Sequence, residues 1–262
     1  MRIAFAARCA VVVVLAGLVG GATASSAPEP EEMSLGLQVY KDMVAHHYLL
    51  PPTSPEAKEL APIAKQLSAV GDKLYGAPFH FYVHVSTVPN AYVVYGPWVY
   101  VNRGLLQFAD NREQVAGVLC HEMSHALHRD GTNDDAKARA YDMHTKAFIL
   151  KAEKVMHGHF SGTISGMSQF GENFIWLHHS RAQEERADLA GADLCASAKS
   201  NPWGLVWMFQ KFQNQAPSHG LSWFSDHPST KTRIAALEKH FKQNPKVFSG
   251  WSKSETTATP LR

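Results

Sequence analysis

His121-Glu122-Met123-Ser124-His125 lies inside residues 115–129, a run without proline and with one glycine, Gly117. Val115, Val118, Leu119, Met123, Ala126 and Leu127 recur at three- and four-residue spacing, which predicts a helix with a buried face. Histidines four apart stand one turn above the other, with Cβ atoms roughly 5–6 Å apart, within reach of one metal ion. Glu122 then stands beside that ion and can take a proton from water activated there. The chain has 15 histidines in 262 residues, so H-E-x-x-H can also arise by accident. The reading therefore depends on a third ligand, a strand to hold substrate and a fitting compartment.

A catalytic zinc takes three protein ligands and keeps a fourth position open. The extended form H-E-x-x-H-x-x-G-x-x-H does not fit, because His128 stands where the glycine would be. His128 itself is poorly placed to join the pair. The better source is a second helix over residues 180–194. There Ala187, Ala190, Gly191 and Leu194 are small or apolar at helical spacing and permit a close approach. Glu184 is one candidate ligand there, with an ordinary surface charge as the alternative reading. Asp188, four residues on and on the same face, can accept the second ring N–H of a ligating histidine.

Residues 1–24 read as a secretory signal peptide, with Arg2 and Arg8 before a short apolar run and Ala22-Thr23-Ala24 as the cleavage site. That run is too short, and too rich in glycine, for a membrane span. Lysine and arginine number 25 against 23 acidic residues. Losing the two leader arginines balances the charges, and no basic cluster argues for nucleic acid. Cys120 and Cys195 read as two small buried hydrophobes. Pairing between them stays open in an oxidising compartment. Residues 25–34 read as a flexible mature start, 35–245 as one domain and 246–262 as a flexible tail.

Helical patterns cover residues 33–48 and 55–74. Residues 79–86, 91–95 and 98–102 alternate aromatic and β-branched residues around the Gly96-Pro97 turn, which predicts a three-stranded antiparallel meander. His80 and His84 share one strand face, more in the manner of packed side chains than of ligands. Asp110 or Asn111 can cap the H-E-x-x-H helix, with Glu113 in capping-box register to Asp110. Beyond it, residues 134–156 read as a helix and 157–171 as a Gly/Ser-rich segment, either a lid or an ordinary loop. Residues 203–212 read as an aromatic core helix.

H-E-x-x-H followed by Glu184-Glu185-Arg186-Ala187-Asp188 resembles the signature of the gluzincin zinc metalloendopeptidases that include the CAAX prenyl proteases and the HtpX-like proteases, most of all their soluble periplasmic members. Further likenesses are Glu32-x-x-Leu35-Gly36, Asn90-Ala91-Tyr92, the Gly104-Leu105-Leu106 lead into the helix, and His227-Pro228 with Arg233-Ile234. The periplasmic relatives often have a histidine where Asp130 stands.

The resemblance implies an α+β fold, mainly helical, with a small antiparallel sheet and the metal site between two helices. It places one Zn²⁺ on His121, His125 and Glu184 (rather than Glu185) and makes Glu122 the base. His227 and Arg233 become candidates for stabilising the oxyanion or gating the metal. Substrate is expected to pair with the strand at Asn90, Ala91 and Tyr92. The function expected is hydrolysis of unfolded or misassembled envelope proteins in the periplasm. The alternatives are a chaperone-like assembly factor without catalysis and a zinc hydrolase of another class.

Overall fold

The computed structural model describes residues 28–131, 179–219 and 230–261. The leader, the helix expected over residues 134–156, the segment 157–171 and His227 lie outside the described residues. The elements, in chain order, are α1 (Pro30–Ala45), α2 (Pro55–Tyr75), β1 (His80–His84), β2 (Ala91–Val93), β3 (Trp98–Asn102), α3 (Arg103–Phe108), α4 (Arg112–Leu127), α5 (Arg181–Ser197), α6 (Trp203–His219), α7 (Thr230–Gln243) and α8 (Pro245–Phe248), then a 3₁₀ turn at Glu255–Thr257. The fold is mainly helical α+β. No helix of the described residues is long and apolar enough to cross a membrane.

α4 carries H-E-x-x-H and lies at the centre, buried continuously from Gln114 to Ala126. Such a helix must be covered all round: α5 and α6 pack along it, and α2, β2 and β3 close the rest. Its start is fixed by Asn111, whose side chain accepts the Gln114 N–H at 2.8 Å, while Gln114 Oε1 accepts the Asp110 N–H at 2.8 Å. The expected box from Asp110 to Glu113 does not form. Glu113 instead accepts from the backbone and hydroxyl of Thr259, both at 2.9 Å.

The sheet departs from a meander. Its order is β1-β3-β2, with β1 parallel to β3 and β2 antiparallel to it. Gly96, at φ 63°, closes the tight turn between β2 and β3, a local signal the sequence carries. Nothing local decides which side of β3 receives β1. The outer edge of β1 is covered by the chain after α1: Leu50 donates to Val83 O at 2.8 Å and Val85 to Tyr48 O at 2.9 Å. Period-two alternation splits the faces. Phe81, Val83, Ala91, Val93, Val99 and Val101 join the main core. Tyr82, Tyr92, Trp98 and Tyr100 face α1, packing with Met43 and Tyr40.

Both ends are more ordered than their composition suggests. α1 begins at Pro30, inside the segment expected to be flexible, and buries Glu32. Residues 246–261 are no free tail. Phe248 and Leu261 are buried. Glu255 Oε1 accepts from Asn111 at 2.8 Å and Gln114 at 2.6 Å, and Arg112 donates to Thr259 O at 2.9 Å. A strap thus holds the start of α4. Cys120 and Cys195 are not two separate hydrophobes but a disulfide joining α4 to α5.

Candidate metal centre

α4 and α5 meet where Gly191 faces the backbone of Cys120 and His121. A Cβ there would come 2.9 Å from His121 N and 3.0 Å from the Cys120 carbonyl, closer than packed atoms tolerate. Glu184, Asp188, Gly191 and Cys195 form one stripe of α5, spaced by three and four residues, and all four are turned toward α4. The Ser180 capping box with Gln183 starts α5 just before Glu184.

His121, His125 and Glu184 converge, all buried. The Nε2 atoms of the two histidines are 3.1 Å apart. Glu184 Oε2 is 3.6 Å from His121 Nε2, and its Oε1 is 3.3 Å from His125 Nε2. Three ligands of a tetrahedral ion with bonds of about 2.0–2.1 Å stand roughly 3.3 Å apart. The observed triangle fits such an ion. Two imidazoles and one carboxylate are also the donor set of a catalytic zinc site.

Each imidazole is held from behind by a carboxylate. His121 Nδ1 donates to Asp188 Oδ1 at 3.0 Å, and His125 Nδ1 to Asp130 Oδ2 at 2.9 Å. Both bonds leave the Nε2 lone pairs facing the common point. Arg233 grips Asp188 through Nε at 2.7 Å and Nη2 at 2.6 Å, and its Nη1 is 2.9 Å from Glu184 Oε2. Its guanidinium lies 4.6 Å from the Phe209 ring centroid. Arg186 contacts Asp130. Burial alone would raise both aspartates. The Arg233 charge at Asp188, and the His125 bond with the Arg186 charge at Asp130, outweigh it and hold both below the usual carboxylate range. Burial drives the His121 pKa down. The same burial at His125 is overcome by its bonds to Asp130 and Glu184, which push it up.

Glu122 follows His121 on α4 and is 3% exposed. Asn90 directly precedes β2, and Ala91 and Tyr92 are its first two residues, at the edge of the sheet beside α4. Arg233 is directed at Asp188 and Glu184, behind the ligands, and is 5% exposed. His128 turns its Nδ1 to Ser124 O at 2.7 Å and is not among the three residues that converge. His84 Nδ1 accepts the Ser86 N–H at 3.1 Å, and burial lowers its pKa to about 4.

The sequence assigned no role in the site to Asp130, Arg186 or His179. Asp130 lies beyond the helix, and only the left-handed turn at Arg129, φ 54°, brings it back to His125. His179 stacks on the His125 ring at 3.9 Å between centroids. A carboxylate shortly after the second histidine of the motif was the available signal for Asp130.

The Peptidase family M48 model matches residues 55–240. The chain is 26% identical over 212 residues to Metalloprotease LoiP of Escherichia coli, covering 80% of each chain. It is 26% identical over 213 residues to Mitochondrial metalloendopeptidase OMA1 of Schizosaccharomyces pombe, covering 79% of this chain and 60% of that one. It is 23% identical over 175 residues to the Beta-barrel assembly-enhancing protease of Escherichia coli, covering 63% of this chain and 35% of that one. The chain thus spans less than two thirds of the length of two of these relatives. With the family match covering most of the chain and the ligand triangle in place, the chain belongs to peptidase family M48 and is a metalloprotease.

Proposed function

We propose that the chain is a zinc-dependent endopeptidase, with one ion held by His121, His125 and Glu184, that cleaves polypeptides of the cell envelope after export across the inner membrane. The observation that carries the chemistry is the buried ligand triangle with Glu122 beside it on the same helix. Zinc in such a site is a Lewis acid that polarises a carbonyl and makes water acidic near neutral pH. Glu122 accepts the proton of the attacking water and delivers it to the leaving amine. Asp188 and Arg233 are positioning residues. Asp188 fixes the tautomer of His121, and Arg233 holds Asp188 and Glu184 in register.

Substrate lies extended along β2. Asn102 donates to Asn90 O at 2.9 Å, so in this antiparallel register Asn90 and Tyr92 face β3, and the main-chain groups of Ala91 and Val93 turn to the outer edge. An added strand there is recognised through its backbone, which suits unfolded chains of varied sequence. The leader-like residues 1–24 and the likeness to a Beta-barrel assembly-enhancing protease support an envelope substrate.

The test compares wild type with Glu122→Gln for zinc content and casein hydrolysis, with and without a chelator. The variant should keep its zinc and lose activity by at least about a hundredfold, the lower range of general-base catalysis. Full casein hydrolysis by Glu122→Gln would remove Glu122 from its role as base, and a zinc-loaded wild type that cleaves nothing would sink the enzyme reading in favour of a chaperone-like role. For the edge strand, Val93→Pro removes one outward N–H, and proline is tolerated at such a position. It should raise KM while zinc content stays level; an unchanged KM rejects the pairing.

A further inference from the structure

We propose that Asp130, braced by Arg186, is the positioning residue that fixes the ligand His125, an inference that rests on the metal reading above. Asp130 lies outside the H-E-x-x-H and E-x-x-A-D motifs. Its carboxylate is 1% exposed and splits its two oxygens: Oδ2 takes His125 Nδ1 at 2.9 Å, and Oδ1 takes the Arg186 guanidinium. An imidazole on a helix can still turn about its Cβ–Cγ bond and exchange tautomers. A buried acceptor on Nδ1 removes both freedoms and leaves Nε2 to the ion. The stacked ring of His179 restrains the tilt of the same imidazole.

The backbone that aims Asp130 is itself held. Arg129 takes a left-handed conformation at φ 54°, which an L side chain adopts only where its surroundings compel it. Its Nε stands 3.8 Å from the buried carboxylate of Glu32 on α1, and its Nη1 is 3.4 Å from Glu29. The N-terminal helix therefore sets the turn, the turn sets Asp130, and Asp130 sets His125. Arg186 comes from α5, two residues after Glu184. One helix thereby supplies the third ligand, the carboxylate behind His121 (Asp188) and the guanidinium that holds Asp130, the carboxylate behind His125.

The experiment measures the zinc dissociation constant of the full chain by competition with a chromophoric chelator, alongside the melting temperature. Asp130→Ala should weaken zinc by about 10–100-fold, the range for loss of a carboxylate behind a histidine ligand. Asp130→Asn keeps an acceptor for Nδ1 and should recover part of that loss. Arg186→Ala should weaken zinc by a smaller factor, and by none in the Asp130→Ala background, because it acts through Asp130. Unchanged zinc affinity in a folded Asp130→Ala overturns the inference. So does an Arg186→Ala effect of equal size in both backgrounds. Should Asp130→Ala not fold, Arg186→Ala decides alone: its side chain is 45% exposed, and undiminished affinity there also overturns the assignment. A wild-type chain that takes up no zinc breaks the metal reading itself, whereas zinc held equally by wild type and folded variants breaks only this inference.

Discussion

The two halves of the candidate metal centre follow one plan and differ in depth. His121 is backed by Asp188 and Arg233, with the arginine side chain 5% exposed; His125 is backed by Asp130 and Arg186, with that arginine 45% exposed. The first arm uses ion pairs wholly removed from water. There each partner is indispensable to the other, because a buried charge left alone is costly. The second arm ends at solvent, where water can replace a lost guanidinium at little cost. Equal geometry therefore carries unequal energy. The first arm belongs to the folding of the domain, and the second to the tuning of one ligand.

Substitutions can break that contrast or sharpen it. The largest effect is expected from Arg233→Ala, which strands Asp188 and Glu184. Urea unfolding of the metal-free chain should show a loss of about 3–5 kcal/mol. A loss no greater than that of Arg186→Ala would erase the distinction between the arms. Gly191→Ala should cost about 1–3 kcal/mol by pressing a methyl group against the backbone at His121. It should disturb the first arm before the second, so the His121 imidazole resonances should move further than those of His125. Arg186→Ala should change stability by less than about 1 kcal/mol, as exposed pairs do. Its mark should appear in metal affinity.

What the sequence disclosed follows the reach of each signal. Helical spacing alone fixes how His121 and His125 relate and puts Asp188 on the face of Glu184. Those contacts stood in the linear chain. Joining Glu184 to the histidines took a motif, because two helices separated by a long insert carry no local sign of meeting. Asp130 depends on a single backbone turn at Arg129, and no pattern of apolar residues encodes a left-handed residue. The order of the sheet was hidden for a similar reason. The turn at Gly96 announces that β2 pairs with β3, but the flank that receives β1 is settled by packing against α1 and α2. Composition misled at the C-terminus. The Ser/Thr-rich run reads as free chain, and Glu255, Thr259 and Leu261 tie it to the start of α4.

The disulfide between Cys120 and Cys195 has a topological consequence. It closes a ring across a sequence separation of 75 residues, and in the chain-entropy view such a closure destabilises the unfolded state by about 4–5 kcal/mol. His121, His125, Asp130, Glu184, Arg186 and Asp188 all lie within that ring. A single cut in the backbone between Asp130 and Glu184 would part the two histidines from the glutamate in sequence and leave them covalently linked. The nicked molecule would run as one species on a gel without reductant and as two with it. The ring thus keeps the two histidines and Glu184 in one covalent unit even where the backbone between them is cut.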